Sequence, residues 1–173
     1  MKAYQVEEPG LPLKENEFDA PVPKGTEILM KTIACGVCHS DVHIHEGHFD
    51  LGGGKQVDLK GGRELPFTLG HEIAGEAVAV GDTASSVTIG EQYVIYPWIG
   101  CGKCALCDDD QEHICNNPQS LGFSVDGGFS EYVIVPAARY LHKLGDIPAS
   151  LACIYACSGV TAYSAVKQIQ SKA

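Results

Sequence analysis

Four cysteines fall within fifteen consecutive residues, and this cluster constrains the fold of the chain more than any other feature. They follow the pattern Cys101-x2-Cys104-x2-Cys107-x7-Cys115. Such spacing is typical of a structural zinc site, in which four thiolates complete a tetrahedron around the ion. An iron–sulfur cluster also takes four cysteines, but its familiar spacings differ from this one. His113 could compete as a ligand, but four sulfurs already complete the shell.

A second group of metal-binding side chains lies in the segment Cys35-Gly-Val-Cys-His-Ser-Asp-Val-His43. Residues 26–34, which precede it, alternate as a strand does, and Gly36 breaks that pattern. A strand end followed by a glycine turn can hold side chains firmly and aim them at a ligand. Taken alone, the motif fits two interpretations: a metal site, or a pair of buried thiols with exposed histidines.

Composition narrows the class of protein. The chain has 173 residues, eight cysteines and a formal net charge of −10. This negative charge disfavours nucleic acid and anionic membrane surfaces as partners. The N-terminus lacks the apolar core of a signal peptide, and no apolar run approaches the roughly 18 residues that a membrane helix needs. Cysteines without a secretion signal favour metal ligation over disulfides, so the sequence predicts a cytoplasmic protein.

Most of the chain predicts short strands separated by turns. The alternating runs stand at residues 1–34, 69–80, 87–95 and 129–135. From Pro148 the pattern becomes helical, which would place Cys153 and Cys157, four residues apart, on one helix face. The sequence therefore predicts a mainly β (α+β) fold with helices concentrated near its C-terminal end.

The segment from Leu51 to Arg63 is rich in glycine and is predicted to be a loop. A phosphate cradle would need a strand leading into the segment and a Gly-Lys-Ser/Thr sequence after it, and neither is found. A surface loop over a pocket is the interpretation that we favour.

Taken together, the motifs resemble those of the zinc-dependent medium-chain alcohol dehydrogenases. In the order of the family, the shared motifs are GVCHSD (36–41), GHEIAG (70–75) with Gly81, the four cysteines, GGFSEY (127–132) and CSGVTAY (157–163). The resemblance implies a GroES-like, partly open β-barrel with a four-cysteine zinc loop and C-terminal helices. It also implies a catalytic domain at residues 1–150, including the zinc loop 97–118, and a helical segment at 151–173 that leads to a Rossmann domain.

The resemblance further implies a ligand set for a catalytic zinc. Cys38, His71 and Cys157 would be its protein ligands, and Asp41 would orient His71. Glu72 would lie beside the metal, and in some family members this residue enters the coordination shell. The chain would then hold one catalytic and one structural zinc.

Four polar residues would serve proton transfer and cofactor binding in the same scheme. Ser40 would receive the hydroxyl proton of the substrate, and His43 would pass it toward solvent through the cofactor ribose. His39 would approach the cofactor pyrophosphate, and Thr161 would approach the nicotinamide. The implied reaction oxidises a small alcohol to an aldehyde or ketone by hydride transfer to NAD or NADP.

Five further residues fall outside these roles. Cys35 and Cys153 are predicted to be small buried hydrophobic side chains. Phe49, Tyr96 and Trp98 fit an apolar substrate pocket, although packing in the core explains each of them equally well.

The chain departs from the family because it stops where the Rossmann domain would begin and has no Gly-x-Gly-x-x-Gly fingerprint. We therefore expect this chain alone to be inactive. The resemblance also implies that the intact protein is a homo-oligomer, as intact family members are. Two alternatives stay open: a polyol dehydrogenase or aldehyde reductase with the same zinc chemistry, and a zinc-stabilised scaffold or binding module without catalysis. The dispersed set Cys38, His71 and Cys157 disfavours the scaffold, since a scaffold needs no second, open zinc position.

Overall fold

A five-stranded antiparallel sheet forms the centre of the computed structural model, which describes residues 1–61 and 63–170. A second sheet has three strands, and a separate hairpin has two. The described residues form the strands β1 (Lys2–Val6), β2 (Lys14–Glu17), β3 (Ile28–Gly36), β4 (His48–Gly52), β5 (Lys55–Asp58), β6 (Phe67–Thr68), β7 (Glu72–Val80), β8 (Gln92–Ile95), β9 (Tyr132–Val135) and β10 (Leu141–Lys143).

The helices are fewer than the strands, and most are short. The α-helices are α1 (His39–Glu46), α2 (Ala105–Asp108), α3 (Ala149–Ala152) and α4 (Ser158–Gln170). Short 3-10 turns cover Glu112–Ile114, Ala138–Tyr140 and Cys153–Ala156. More of the described residues lie in strands than in helices, which confirms the predicted mainly β (α+β) fold.

The central sheet has the strand order β10-β8-β7-β3-β9. Its two longest strands, β3 and β7, lie side by side in the middle. Their apolar side chains form a buried core with those of the neighbouring strands and loops: Ile28, Met30, Ile73, Ala77, Tyr93, Ile95, Ile99, Leu121, Val133, Val135 and Tyr140. Strands β9 and β10 are the edges of this sheet, so it does not close into a complete barrel, as the predicted partly open architecture requires.

The register of β3 against β7 determines where the motif residues meet. Gly36, at the end of β3, pairs with Glu72, at the start of β7. The chain therefore leaves β3 beside the point where it enters β7, and α1 begins next to His71. Gly36 is required here because a Cβ atom at this position would collide with the Glu72 carboxylate. Gly70 has φ +93°, and a Cβ there would lie 2.5 Å from Phe129 Cδ1.

A smaller core fixes α1 against the second sheet. The strand order of that sheet is β2-β1-β6. Ile44 of α1 packs with Val6, Phe67 and Leu69 in a buried cluster. Ile44 and Asp41 are the two buried residues of α1, and since they lie three positions apart they share the helix face that turns toward the protein. Ile44 packs in this core, and Asp41 reaches Gly70 and His71 at the start of β7.

Two sequence predictions about strands and loops before residue 100 are wrong. The segment from Leu51 to Arg63 is not all loop, because β4 and β5 pair as an exposed hairpin whose turn contains three glycines with positive φ, Gly52–Gly54. The strand predicted at 87–95 covers only Gln92–Ile95. Gly90 has φ +85°, which interrupts the extended backbone before β8.

Among the described residues, no single helix is long and apolar enough to cross a membrane. The segments Ala149–Ala156 and Ser158–Gln170 reach the required length and composition only as a pair joined across a 55° bend. Residues 171–173, at the end of the predicted helical segment, and Gly62, within the predicted loop, lie outside the described residues.

Candidate metal centres

The first candidate centre, which we call the four-cysteine cluster, consists of Cys101, Cys104, Cys107 and Cys115. Their sulfur atoms all lie within 4.8 Å of one another. Three of the S···S distances are 3.6, 3.8 and 3.9 Å. A tetrahedron with Zn–S bonds of about 2.3 Å has edges of about 3.8 Å, so these sulfurs fit the shell of one zinc ion. His113 is exposed and lies outside the cluster.

Backbone amides stabilise negative charge on one sulfur atom of this cluster. The N–H groups of Cys101 and Asn117 each donate to Cys115 Sγ at 3.4 Å. These two hydrogen bonds lower the pKa of Cys115 to about 7. Burial raises the pKa of Cys107 to about 11. A divalent cation would compensate the charge that four thiolates concentrate in this small volume.

A side-chain network ties the four-cysteine cluster to the central sheet. Glu112, in the turn before Cys115, accepts a hydrogen bond from Tyr140 Oη at 2.5 Å. The same carboxylate pairs with Arg139 at 2.6 Å. Burial and the bond to Glu112 together raise the pKa of Tyr140 to about 12. The cluster is therefore attached to the sheet through the 3-10 turn that precedes β10.

The second candidate centre, which we call the three-ligand cluster, consists of Cys38, His71 and Cys157. One ligand atom from each residue lies within 4.8 Å of the others. These residues are widely separated in the chain and come from the start of α1, the residue before β7 and the residue before α4. The structure thus brings together the three side chains that the resemblance implied, while Cys153 lies outside the cluster.

Asp41 sets the orientation of the His71 ring. Both side chains are buried, with exposures of 2% for Asp41 and 0% for His71. Asp41 Oδ1 lies 3.1 Å from His71 Nδ1 and also accepts the Gly70 N–H at 3.1 Å. The other carboxylate oxygen accepts the Cys38 N–H at 2.9 Å. One carboxylate therefore connects two of the three ligands, and it places the His71 proton on Nδ1, which leaves the Nε2 lone pair free.

His71 Nε2 provides a direct test of whether the three-ligand cluster fits a metal. This atom is buried, and no hydrogen-bond partner for it occurs in the described part of the chain. A buried polar atom without a partner is costly unless something else binds it. Burial lowers the pKa of His71, but Asp41 and Cys157 raise it to about 10. The anionic neighbours therefore favour positive charge at Nε2, either a proton or a metal ion that displaces it, and a zinc ion fits this donor set of two sulfurs and one imidazole.

Both cysteine ligands lie immediately before a helix. The Cys38 carbonyl accepts the N–H of Asp41 at the start of α1, and the Cys157 carbonyl accepts the N–H of Thr161 at the start of α4. Burial raises the pKa of Cys38, but the Ser40 backbone amide and the His71 side chain outweigh that effect and lower it. Helix starts favour negative charge, so the Cys38 thiolate lies where the backbone stabilises it.

The prediction that Cys153 and Cys157 share one helix face is wrong. Cys153 lies in a 3-10 turn, and Cys157 has φ −131° and ψ −74°, which are not helical angles. The chain bends by 55° between this turn and α4. The bend separates the two thiols, so only Cys157 joins the three-ligand cluster. Cys153 is buried, as predicted, and Cys35 is partly buried.

Glu72 lies next to the three-ligand cluster without belonging to it. Its side chain is 2% exposed. Oε1 accepts hydrogen bonds from the Ser158 N–H at 2.9 Å and from the Ser158 hydroxyl at 2.5 Å. The Ser158 hydroxyl also lies 4.0 Å from Cys38 Sγ. Sequence reasoning did not identify Ser158, because nothing in the sequence indicates its contact with a residue 86 positions away.

The residues assigned to proton transfer and cofactor binding lie on α1 and α4. Ser40 is half-buried, and its hydroxyl lies beside Cys38 Sγ. The His43 ring stacks on that of His39 with centroids 4.3 Å apart, and His43 Nδ1 is buried without a partner among the described residues. Thr161 is exposed on the first turn of α4. His39 and Ser40 thus follow the ligand Cys38 directly on α1, and Thr161 lies four residues after the ligand Cys157 on α4.

Aromatic rings line the same region. The His71 ring lies 4.6 Å from Phe123 and 5.9 Å from Trp98, measured between centroids. Phe49, at the start of the β4–β5 hairpin, lies 4.2 Å from His43. Tyr96 instead packs against the core of the central sheet. Sequence reasoning missed Phe123, which lies in no recognised motif and is brought to His71 by the loop before β9.

Known proteins are similar to this chain in sequence. The alcohol dehydrogenase GroES-like domain family matches residues 24–146. A relative named NAD-dependent alcohol dehydrogenase from Sulfurisphaera tokodaii is 44% identical over 168 residues, which are 97% of this chain and 48% of that protein. A relative of the same name from Saccharolobus solfataricus is 43% identical over the same shares of both proteins.

Solved structures agree with the sequence matches. The crystal structure of D-arabinose dehydrogenase from Sulfolobus solfataricus has a TM-score of 0.81 and 32% identity, over 96% of this chain and 47% of that one. Acetophenone reductase from Geotrichum candidum, solved with NAD, has a TM-score of 0.79 and 27% identity, over 96% and 47%. The chain therefore belongs to the zinc-type medium-chain alcohol dehydrogenase family, as predicted. It spans about half the length of the curated relatives that it matches.

Proposed function

We propose that this chain is the catalytic part of a zinc-dependent alcohol dehydrogenase, which oxidises an alcohol to an aldehyde or ketone with NAD or NADP as hydride acceptor. The observation that carries this proposal is the convergence of Cys38, His71 and Cys157 around a buried imidazole nitrogen that has no hydrogen-bond partner among residues 1–61 and 63–170. A structural site would be served by the four-cysteine cluster alone. A second cluster with only three ligands leaves a coordination position open for a substrate.

Zinc held by Cys38, His71 and Cys157 would supply a Lewis acid that favours loss of the proton from an alcohol hydroxyl. Ser40 is the group that receives this proton, since its hydroxyl lies beside Cys38. His43 lies one helical turn further along α1 and carries the proton on toward solvent. Asp41 keeps His71 in the tautomer that has its lone pair on Nε2.

The cofactor would accept the hydride, since no side chain can do so. His39 and Thr161 are exposed, on the helices that follow the ligands Cys38 and Cys157. His39 can approach a pyrophosphate and Thr161 a nicotinamide. We place residues 1–150, with the zinc loop 97–118, in the catalytic domain, and residues 151–173 in the connection to a cofactor-binding part. Reduced cysteines suit a cytoplasmic location.

The aromatic rings around His71 and His43 favour a substrate with an apolar group. Phe49 is 40% exposed and Trp98 is half-buried, so both can contact a ligand. One relative, D-arabinose 1-dehydrogenase (NADP(+)) from Saccharolobus solfataricus, is 35% identical over 91% of this chain. A sugar or polyol is therefore the second substrate class that we propose to test.

The test is alcohol-dependent reduction of NAD+ and NADP+ by the full-length gene product, with aliphatic alcohols, aromatic alcohols and polyols as substrates. Cys38→Ala removes a ligand of the three-ligand cluster and is expected to lower the rate by more than about 10²–10³-fold, the loss that follows removal of one charge-stabilising group. Cys153→Ala is the matched control, because it removes a buried thiol outside both clusters.

The alternative of a zinc-stabilised scaffold gives a different result. A scaffold would bind zinc at the four-cysteine cluster and oxidise no alcohol with either cofactor. If Cys38→Ala keeps the wild-type rate, the three-ligand cluster is not catalytic, and the proposal is wrong even if the protein is an oxidoreductase.

A further inference from the structure

Ser158 connects the start of α4 to Glu72, which lies beside the three-ligand cluster. It is the residue after Cys157, and it donates both its backbone N–H and its hydroxyl to Glu72 Oε1. Glu72, in turn, is the residue after His71. Two neighbours of the cluster's ligands are thus joined by a pair of hydrogen bonds.

This connection controls the position of Cys157. The backbone angles of Cys157 are not helical, and the chain bends by 55° at this residue. In the described part of the chain, no residue of α4 is buried, and packing is tight only in its first turn, where a Cβ on Gly159 would lie 2.6 Å from Tyr155 Cδ1. The Glu72–Ser158 bonds lie at the bend itself, one residue from Cys157 Sγ.

The same hydrogen bonds also stabilise the negative charge that Glu72 adds beside the three-ligand cluster. Two thiolates and a neutral imidazole already balance the charge of a zinc dication. A third buried anion within reach would compete for the open coordination position. The N–H of Ser158 at the start of a 13-residue helix stabilises the Glu72 carboxylate where it is. Gly36 provides the space for it, since a Cβ there would collide with the other carboxylate oxygen.

We propose that Ser158 is a positioning residue, which fixes Cys157 at the three-ligand cluster and holds the Glu72 carboxylate out of the fourth coordination position. The inference rests on the proposed function only in taking that cluster as a metal site. Ser158 touches neither substrate nor cofactor in this role. It acts through Glu72.

The test is Co²⁺ and Zn²⁺ binding to the 173-residue chain with Ser158→Ala, which removes the hydroxyl and keeps the backbone N–H. Second-layer partners of metal ligands typically contribute 10- to 100-fold in affinity, so we expect Ser158→Ala to weaken the metal at the three-ligand cluster by about that factor. The visible spectrum of Co²⁺ at this cluster should also change, because Cys157 is no longer fixed and the freed Glu72 carboxylate can enter the fourth position. The affinity still falls, because the weakened Cys157 contact outweighs the contact that Glu72 adds. Binding at the four-cysteine cluster should be unchanged.

Two controls separate positioning from general destabilisation. Ser164→Ala removes an exposed hydroxyl from the same helix and should leave both affinities and the Co²⁺ spectrum as in the wild type. Ser158→Thr keeps a hydroxyl and should restore most of the affinity. In a Glu72→Ala background, Ser158→Ala should have no further effect if Ser158 acts through Glu72.

The outcomes distinguish this inference from the proposed function. A wild-type chain that binds two metal ions, with a Ser158→Ala variant identical to it in affinity and spectrum, overturns the inference alone. The inference is also overturned if Ser158→Ala and Glu72→Ala have additive effects on the metal affinity of the three-ligand cluster. A wild-type chain that binds metal only at the four-cysteine cluster overturns the proposed function and the inference together.

Discussion

The four-cysteine cluster takes all its ligands from one segment of fifteen residues, whereas the three-ligand cluster takes its ligands from positions 38, 71 and 157. The first is a local structure, attached to the central sheet through Glu112 and Tyr140. The second exists only because β3, β7 and the bend before α4 are already in place. The first has four sulfurs and no free position, and the second has three ligands.

This difference shows what each cluster can do. A closed tetrahedron of thiolates contributes to folding and binds nothing else. A three-ligand cluster built from distant elements depends on the fold for its geometry, so it is suited to chemistry that needs preorganised groups. Its orienting residues, Asp41 and Ser158, come from the helices that follow its ligands.

The largest contrast is expected in stability. Cys104→Ala removes a ligand from the four-cysteine cluster and with it the metal-binding energy that stabilises the segment 97–118. We therefore expect Tm of the zinc-loaded chain to fall by roughly 10 °C. Cys38→Ala removes a ligand from a cluster that the fold already holds, and its Tm should fall by less than about 4 °C. Differential scanning calorimetry with zinc analysis measures both. Each variant should lose one zinc ion, and loss of both ions from either variant would contradict the independence of the two clusters.

A smaller effect is expected from Ser40 and His43, the proposed proton-transfer residues, which lie near the three-ligand cluster and not near the four-cysteine cluster. Ser40→Ala should lower kcat of the full-length gene product by about 100-fold when the chemical step limits the rate. His43→Ala should lower it by about tenfold or less, since water can replace the imidazole. Neither variant should lose zinc. His45→Ala is the control, because its ring faces the Leu11 carbonyl. Equal rates for Ser40→Ala and the wild type would exclude Ser40 from the proton path.

The smallest effect is expected when NADH or NADPH is added to residues 1–173 alone, because we expect almost no cofactor binding. In the proposed function, His39, Ser40, His43 and Thr161 would contact only one side of a cofactor, and these contacts would be too few to offset the cost of immobilising it. Calorimetric titration of the zinc-loaded chain with NADH and NADPH should therefore show no binding tighter than millimolar. Micromolar binding, or zinc-dependent alcohol oxidation by this chain, would show that the open cluster needs no further cofactor-binding part.

The two clusters also differ in how far the sequence predicted them. Four cysteines at short spacing define a local site, so their residue pattern alone predicted the four-cysteine cluster. Nothing local links Cys38 to His71 or Cys157, and the three were assembled only through the resemblance to a family. The strands β3 and β7 were predicted within apolar runs at residues 26–34 and 69–80, although buried residues are consecutive at the start of each strand and alternation holds only in part.

The errors have physical causes that periodicity cannot show. Helix α1 was not predicted, because its residues are mostly polar and Ile44 is its one buried apolar side chain. The β4–β5 hairpin was taken for a loop, since three glycines form its turn and its strands are exposed. The contact of Glu72 with Ser158 and that of Phe123 with His71 depend on tertiary structure alone.

The central claim is that one chain holds two metal sites of different kinds. X-ray absorption at the zinc edge, recorded on the zinc-loaded chain and on its Cys38→Ala and Cys104→Ala variants, tests it most directly. The wild type should hold two ions per chain. Cys38→Ala should leave an ion with four sulfur neighbours at about 2.3 Å, and Cys104→Ala should leave one with two sulfurs, one imidazole nitrogen at about 2.0 Å and a light-atom fourth ligand. A single ion in the wild type, or four sulfurs around the ion that remains in Cys104→Ala, would contradict the claim.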